Sequence, residues 1–145
     1  MTDVYYTDEG MEVTEPETAR RLQLAGVREA LIESNNGGRG FARNVIRELK
    51  QLKCHKCSVT WFYQSRPKKP RILTNATNVM EQVIMPEDWE QRWPKFAEHV
   101  KKFQRKGKND HDDGEDALTG FVEMVNGDVK GKKKARIGSK KKLGL

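Results

Sequence analysis

An α/β fold is predicted by three observations: a strand, helix, strand order in the first part of the chain, one strongly β-prone segment near its middle, and amphipathic helices after it. Val4, Tyr5 and Tyr6 form a short β-prone run that ends at the turn signal Asp8-Glu9-Gly10. Thr14-Glu-Pro-Glu17 reads as a capping pattern with Pro16 near the first helical position, so a helix is expected to about Ala25, closed by Gly26. Ala30, Leu31 and Ile32 make a buried strand, and the glycine-rich stretch Glu33 to Gly40 leads from it into a helix over about Phe41 to Leu52. Ser58 to Gln64, SVTWFYQ, has the β-branched and aromatic content of a core strand, with stacking of Trp61 or Tyr63 on a nucleic-acid base as the alternative use.

Pro70 is placed to open the next helix, through about Val83, with Ile72, Leu73, Ala76, Val79, Met80 and Val83 inward. Arg71 sits in the first turn, where the helix dipole disfavours a cation; an anionic partner or accident accounts for it. Pro86 interrupts the chain, and a further helix from Glu87 or Asp88 carries Trp89, Trp93, Phe96, Val100 and Phe103 at helical spacing, with Pro94 bending or dividing it. Lys101, Lys102, Arg105, Lys106 and Lys108 then run into Asn109 to Val125, NDHDDGEDALTGFVEMV, where an acidic cluster opens an amphipathic helix.

One domain is the expectation for 145 residues of which 35% are hydrophobic and 34% charged, with a small core. Residues 126–145 hold eight Lys or Arg against Asp128 and so carry the whole net charge of +7; the rest has 20 basic and 20 acidic residues. The chain therefore divides into a folded part, 1–125, and a basic tail, 126–145, expected to be disordered when free and drawn to nucleic acid. No apolar run long enough for a bilayer and no leader pattern are present, so a soluble intracellular protein without a membrane partner is expected. Cys54 and Cys57 lack a second ligand pair for zinc and do not precede a helix as a redox pair does, so two reduced thiols are expected.

Asp112 and Asp116 are an i,i+4 pair and Asp113 and Asp116 an i,i+3 pair, so their carboxylates share a helix face. Two readings fit: capping of the helix start, or oxygen ligands for Mg²⁺ or Mn²⁺. Four carboxylates, Asp112, Asp113, Glu115 and Asp116, exceed what a cap requires. His111 beside them is a supporting group, a proton shuttle or a solvated loop residue. Glu33 closes the apolar strand where α/β sheets bind ligands. Gly37, Gly38 and Gly40 allow close backbone approach, and the following helix aims amides at the loop, with Arg39 and Arg43 adding charge for phosphate. Neither GxxxxGK[ST] nor GxGxxG is present, which excludes a nucleotide loop of those types.

The stretches Ile32 to Val45 (IESNNGGRGFARNV), Arg71-Ile72 after a basic run, and His111 to Leu118 (HDDGEDAL), in this order, resemble the C-terminal nuclease domain of tailed-phage terminase large subunits; the second departs from the family's usual Asn-Lys-Glu form. The resemblance covers much of residues 2–125. It implies a ribonuclease H-like mixed sheet flanked by helices and a two-metal endonuclease that cuts concatemeric viral DNA during packaging. It implies two Mg²⁺ or Mn²⁺ ions held by Glu33, Asp112 and Asp113, with Asp116 a further ligand and His111 a possible support. DNA is expected at Arg39, Arg43, Lys68, Lys69, Arg71, Lys106, Lys108, Lys132, Lys133 and Lys134. The implied partners are double-stranded phage DNA, the remainder of the large subunit, the small subunit and the portal, in the host cytoplasm.

The family's first metal-binding Asp lies on an initial central strand with no counterpart here, since residues 3–7 align with the family's third strand. The domain is thus expected to be N-terminally truncated, without the ATPase domain: a fragment, a split gene product, or a chain completed by another. Asp3 is a weak substitute, because its strand belongs at the sheet edge. The alternative function is a catalytically inactive DNA-binding or packaging-assembly piece, and a Holliday-junction resolvase of similar fold is the third.

Overall fold

A computed structural model describes residues 1–104 and 106–131. Strands β1 (Glu29–Glu33) and β2 (Ser58–Phe62) pair in parallel, from Glu29 opposite Ser58 to Glu33 opposite Phe62. Parallel neighbours need a crossover, supplied here by a 3-10 turn at Asn35–Gly37 and helix α2 (Gly38–Gln51). The α/β class stands on this unit. Among the described residues the sheet has these two strands and both are parallel.

Helix α1 (Met11–Leu24) packs on α2, and α2 covers the sheet. Their core is Ala19, Val45 and Leu49, against which Leu22, Phe41, Cys54, Cys57 and Val59 pack. Both cysteines are free thiols, and burial pushes the Cys57 thiol up from its ordinary value. Helix α1 begins at Met11, earlier than its Thr14 capping pattern predicts, because the amides of Val13 and Thr14 already donate to the Gly10 carbonyl. Pro16 therefore lies inside the helix. It forfeits one backbone bond on an exposed face, which the α1–α2 packing outweighs.

Residues 1–10 form no strand, a second departure from the sequence expectation. Their aromatic side chains tether the segment to helices instead. Tyr5 lies under the Arg21 guanidinium at 4.6 Å, and Tyr6 meets the Phe96 ring edge-on at 5.7 Å.

The second helical layer comprises α3 (Lys68–Gln82), α4 (Trp89–Arg92), α5 (Pro94–Lys102) and α6 (Asp113–Val125). Pro94 divides α4 from α5 and occupies the first position of the latter. Helices α3 and α6 lie along each other, and Gly114 admits α5: a Cβ there would stand 3.1 Å from both Phe96 and Val100. The inward face of α3 is Arg71, Ile72 and Asn75, and Met80, expected inward, is 84% exposed. A polar seam of Arg71 and Asn75 toward α6 shares this face with Ile72 and the half-buried Ala76, Val79 and Val83, while Leu73 joins Met80 among the exposed residues. Among the described residues no helix is long and apolar enough to cross a membrane. Lys132, Lys133 and Lys134, and most of the tail expected from the sequence, lie outside the described residues.

Candidate functional site

Glu33 ends β1, and the next residues fix the direction in which the chain leaves. Ser34 donates to the Phe62 carbonyl from both its amide and its hydroxyl at 2.7 Å, and Asn35 exchanges bonds of 2.8 and 2.9 Å with the Gln64 backbone. Asn36 and Gly37 then turn with φ of 49° and 91°, so α2 starts at Gly38, three residues before the Phe41 expected. The glycine-rich run is thus the first turn of a helix rather than an open loop. At Gly38 a Cβ would stand 1.8 Å from the Glu33 carbonyl oxygen, so only glycine lets α2 begin this close to the strand end.

The carboxylates of α6 gather on basic residues of α3. Asp112 occupies the N-cap position but makes no side-chain capping bond. Its carboxylate turns to Lys68 of α3, whose ammonium lies 3.1 Å from Asp112, 2.9 Å from Asp113 and 3.6 Å from Asp116. Arg71 sits one turn further along α3, 4% exposed. Its Nη2 lies 2.9 Å from Asp116 Oδ1, a charge contact without hydrogen-bond alignment, and its Nε donates to both oxygens of Glu123 at 3.1 Å. The anionic partner that its position in the first turn called for is within the chain. Arg71 is consequently removed from the expected DNA-contacting residues, since its guanidinium is buried against two carboxylates.

Glu123, 0% exposed, is the residue the sequence reading missed. It also accepts from Arg66 at 2.7 Å and, more loosely, from Gln64 and Asn75 at 3.4 Å. The signal was present: Asp112, Asp116, Thr119 and Glu123 fall at i, i+4, i+7 and i+11, so the acidic face noted for Asp112 and Asp116 continues two turns further to Glu123.

The electrostatics tie Glu33 to this stripe. Burial raises the Glu33 carboxyl above its ordinary value, the charge of Asp116 raises it further, and Arg71 and Lys68 pull it back. Glu33, Asp116 and Arg71 are therefore close enough to feel one another. Burial likewise raises Glu115, 7% exposed, whose two carboxyl oxygens have no hydrogen-bond partner; its own amide pulls the other way without the alignment of a bond. His111 stacks face to face on His99, centroids 4.4 Å apart, and Tyr6 Oη shares a 2.7 Å hydrogen bond with His99 Nδ1.

Of the remaining expected DNA contacts, Arg39 and Arg43 are exposed on α2, Lys69 donates to the Gly107 carbonyl at 2.6 Å, Lys106 is exposed, and Lys108 lies 3.4 Å from Asp110. Among the described residues no three Asp, Glu, His or Cys side chains converge as a ready-made metal cage. Asp112, Asp113 and Asp116 converge on the Lys68 ammonium instead. As donors they suit a hard divalent cation; Asp116 Oδ1 is buried 2.9 Å from Arg71 Nη2, so Asp112 and Asp113 are the more accessible of the three. The chain matches no family model, no curated protein and no solved structure.

Proposed function

We propose that the chain is a metal-dependent phosphodiesterase acting on DNA, in which Glu33, Asp112, Asp113 and Asp116 would hold the metal. The observation that carries this reading is the convergence of Asp112, Asp113 and Asp116 on one half-exposed cation, the Lys68 ammonium, with Glu33 at the end of β1 within the field of Asp116, Arg71 and Lys68. Acids gathered on separate elements repel one another unless cations lie among them; Lys68 and Arg71 fill that role here, and a divalent ion would compete with Lys68 for it. Mg²⁺ or Mn²⁺ bound there would supply the activated water and the stabilisation of the leaving oxygen. Arg71, locked by Glu123, fixes the Asp116 carboxylate from behind. Lys68, whose side chain is 39% exposed, holds the aspartates and is free to exchange them for a phosphate oxygen when a divalent ion arrives. The resemblance extends the proposal to the nuclease part of a terminase large subunit, cutting concatemeric viral DNA in the host cytoplasm with the motor, small subunit and portal as partners.

The test is Mn²⁺ binding to the full chain, followed by water-proton relaxation, together with nicking of plasmid DNA. Glu33→Ala and Asp116→Ala should each weaken Mn²⁺ binding at least tenfold and abolish nicking. Unchanged binding and nicking in both variants would remove the assignment.

A second reading, a DNA-binding or assembly piece without catalysis, is favoured by one observation: Lys68, Arg71 and Arg66 already compensate Asp112, Asp113, Asp116 and Glu123 without any metal. It requires DNA binding that is the same in EDTA and in Mn²⁺, with no cutting in either.

A further inference from the structure

Helix α2 has a second face that neither the core nor the carboxylate site uses. Arg39, Arg43, Arg47 and Lys50 fall at i, i+4, i+8 and i+11, all exposed, beside the buried stripe of Ala42, Val45 and Leu49. With Ile46 and Trp61 of β2 they line an open groove of about 440 Å³. The stripe is about 16 Å long at the rise of an α-helix. Arg39 lies over the Trp61 ring, its guanidinium carbon 5.7 Å from the centroid, within cation–π range.

A solvated helix face would normally intersperse acids, as α1 does: Arg20 and Arg21 both reach Glu17 at 2.7 Å. On α2 the compensation is nearly absent. Arg47 approaches Glu48 at 3.6 Å, and among the described residues Arg39, Arg43 and Lys50 have no ion-pair partner. Like charges spaced i,i+4 destabilise a helix, so the stripe fits a polyanion better than it fits open solvent.

We infer that this groove binds one strand of unpaired DNA, its phosphates along the Arg39, Arg43, Arg47 and Lys50 stripe and a base against Trp61. Single-file cations on one helix face track a single backbone, and the Trp61 ring, which Arg39 now lies over, offers a face to a base that has left its stack once Arg39 turns to a phosphate. A duplex presents two backbones, with its base faces stacked inside. The inference deepens the nuclease reading, because the Arg39 end adjoins the site: α2 begins five residues after Glu33, in contact with its carbonyl. A strand held on α2 leads to the carboxylates.

The experiment measures binding of a fluorescein-labelled oligothymidine to the full chain in EDTA, across a salt series. Arg43→Ala with Arg47→Ala should weaken binding at least tenfold and lower the salt slope by about 1.4. Trp61→Leu should weaken it about tenfold and leave the slope unchanged, while Trp61→Phe retains most of the affinity and guards against misfolding. Lys101→Ala with Lys102→Ala, on α5, should have no comparable effect. Binding is read in EDTA, where no metal-dependent step contributes, so failure of the nuclease reading leaves this result readable. Equal binding by the parent and all α2 and Trp61 variants, or a duplex bound more tightly than the single strand with Trp61→Leu indifferent, would overturn it.

Discussion

The two ends of α6 carry the same chemistry in opposite settings. At its C-terminal part Glu123 is sealed from water and accepts from Arg66, Arg71, Gln64 and Asn75. At its start Asp112 and Asp113 lean on one flexible lysine, with Asp113 largely in solvent. A buried carboxylate surrounded by donors has no exchange partner better than those it has, so it belongs to the scaffold. A carboxylate held by a surface ammonium gains little and is released cheaply, which is what a site that must accept another cation needs. The fold thus places a rigid ion network about three helical turns behind an exchangeable one, with Arg71 reaching Glu123 of the first and Asp116, which Lys68 also holds, of the second.

Three substitutions sharpen this contrast. Glu123→Ala should have the largest effect, a loss of about 3–5 kcal/mol in urea unfolding, because Arg71 is left buried without its main partner. Part of that loss should return when Arg71→Met is added, and a loss under about 1 kcal/mol would dissolve the distinction. Glu115→Gln should stabilise by about 1 kcal/mol at pH 8, since burial disfavours the charged form of this unpartnered carboxyl. The gain should be absent near pH 4, below the ordinary value of 4.5, where both folded and unfolded chains hold the proton, and should grow as pH rises through the raised folded value. Lys68→Met should change stability least, by less than about 1 kcal/mol. It should nonetheless raise Mn²⁺ affinity, because a competing cation has been removed from Asp112, Asp113 and Asp116; unchanged or weaker Mn²⁺ binding would show that the ammonium does not hold the metal position.

Legibility in the sequence follows range. The β1–α2–β2 unit and the division at Pro94 were readable because local periodicity and proline geometry decide them. The start of α1 and the fate of Tyr5 and Tyr6 were not, because contacts to α5 and within α1 override a weak local preference. Glu33 and the aspartates were singled out by residue type. Their neutralisation by Lys68 and Arg71 was not, since it depends on how α3 lies against α6, 40 or more residues away in the chain. Arg71 alone announced the pairing, by standing where a helix dipole rejects it.

The glycines of the GGRG run have unequal freedom, and this marks out an address for a reporter. Any side chain at 38 collides with the Glu33 backbone, whereas nothing lies within 4 Å of where a Cβ would stand at 40. A cysteine exchanged for Gly40 can therefore carry a dye or spin label next to the strand end without moving it, and the same label two positions earlier would unseat the helix it was meant to watch.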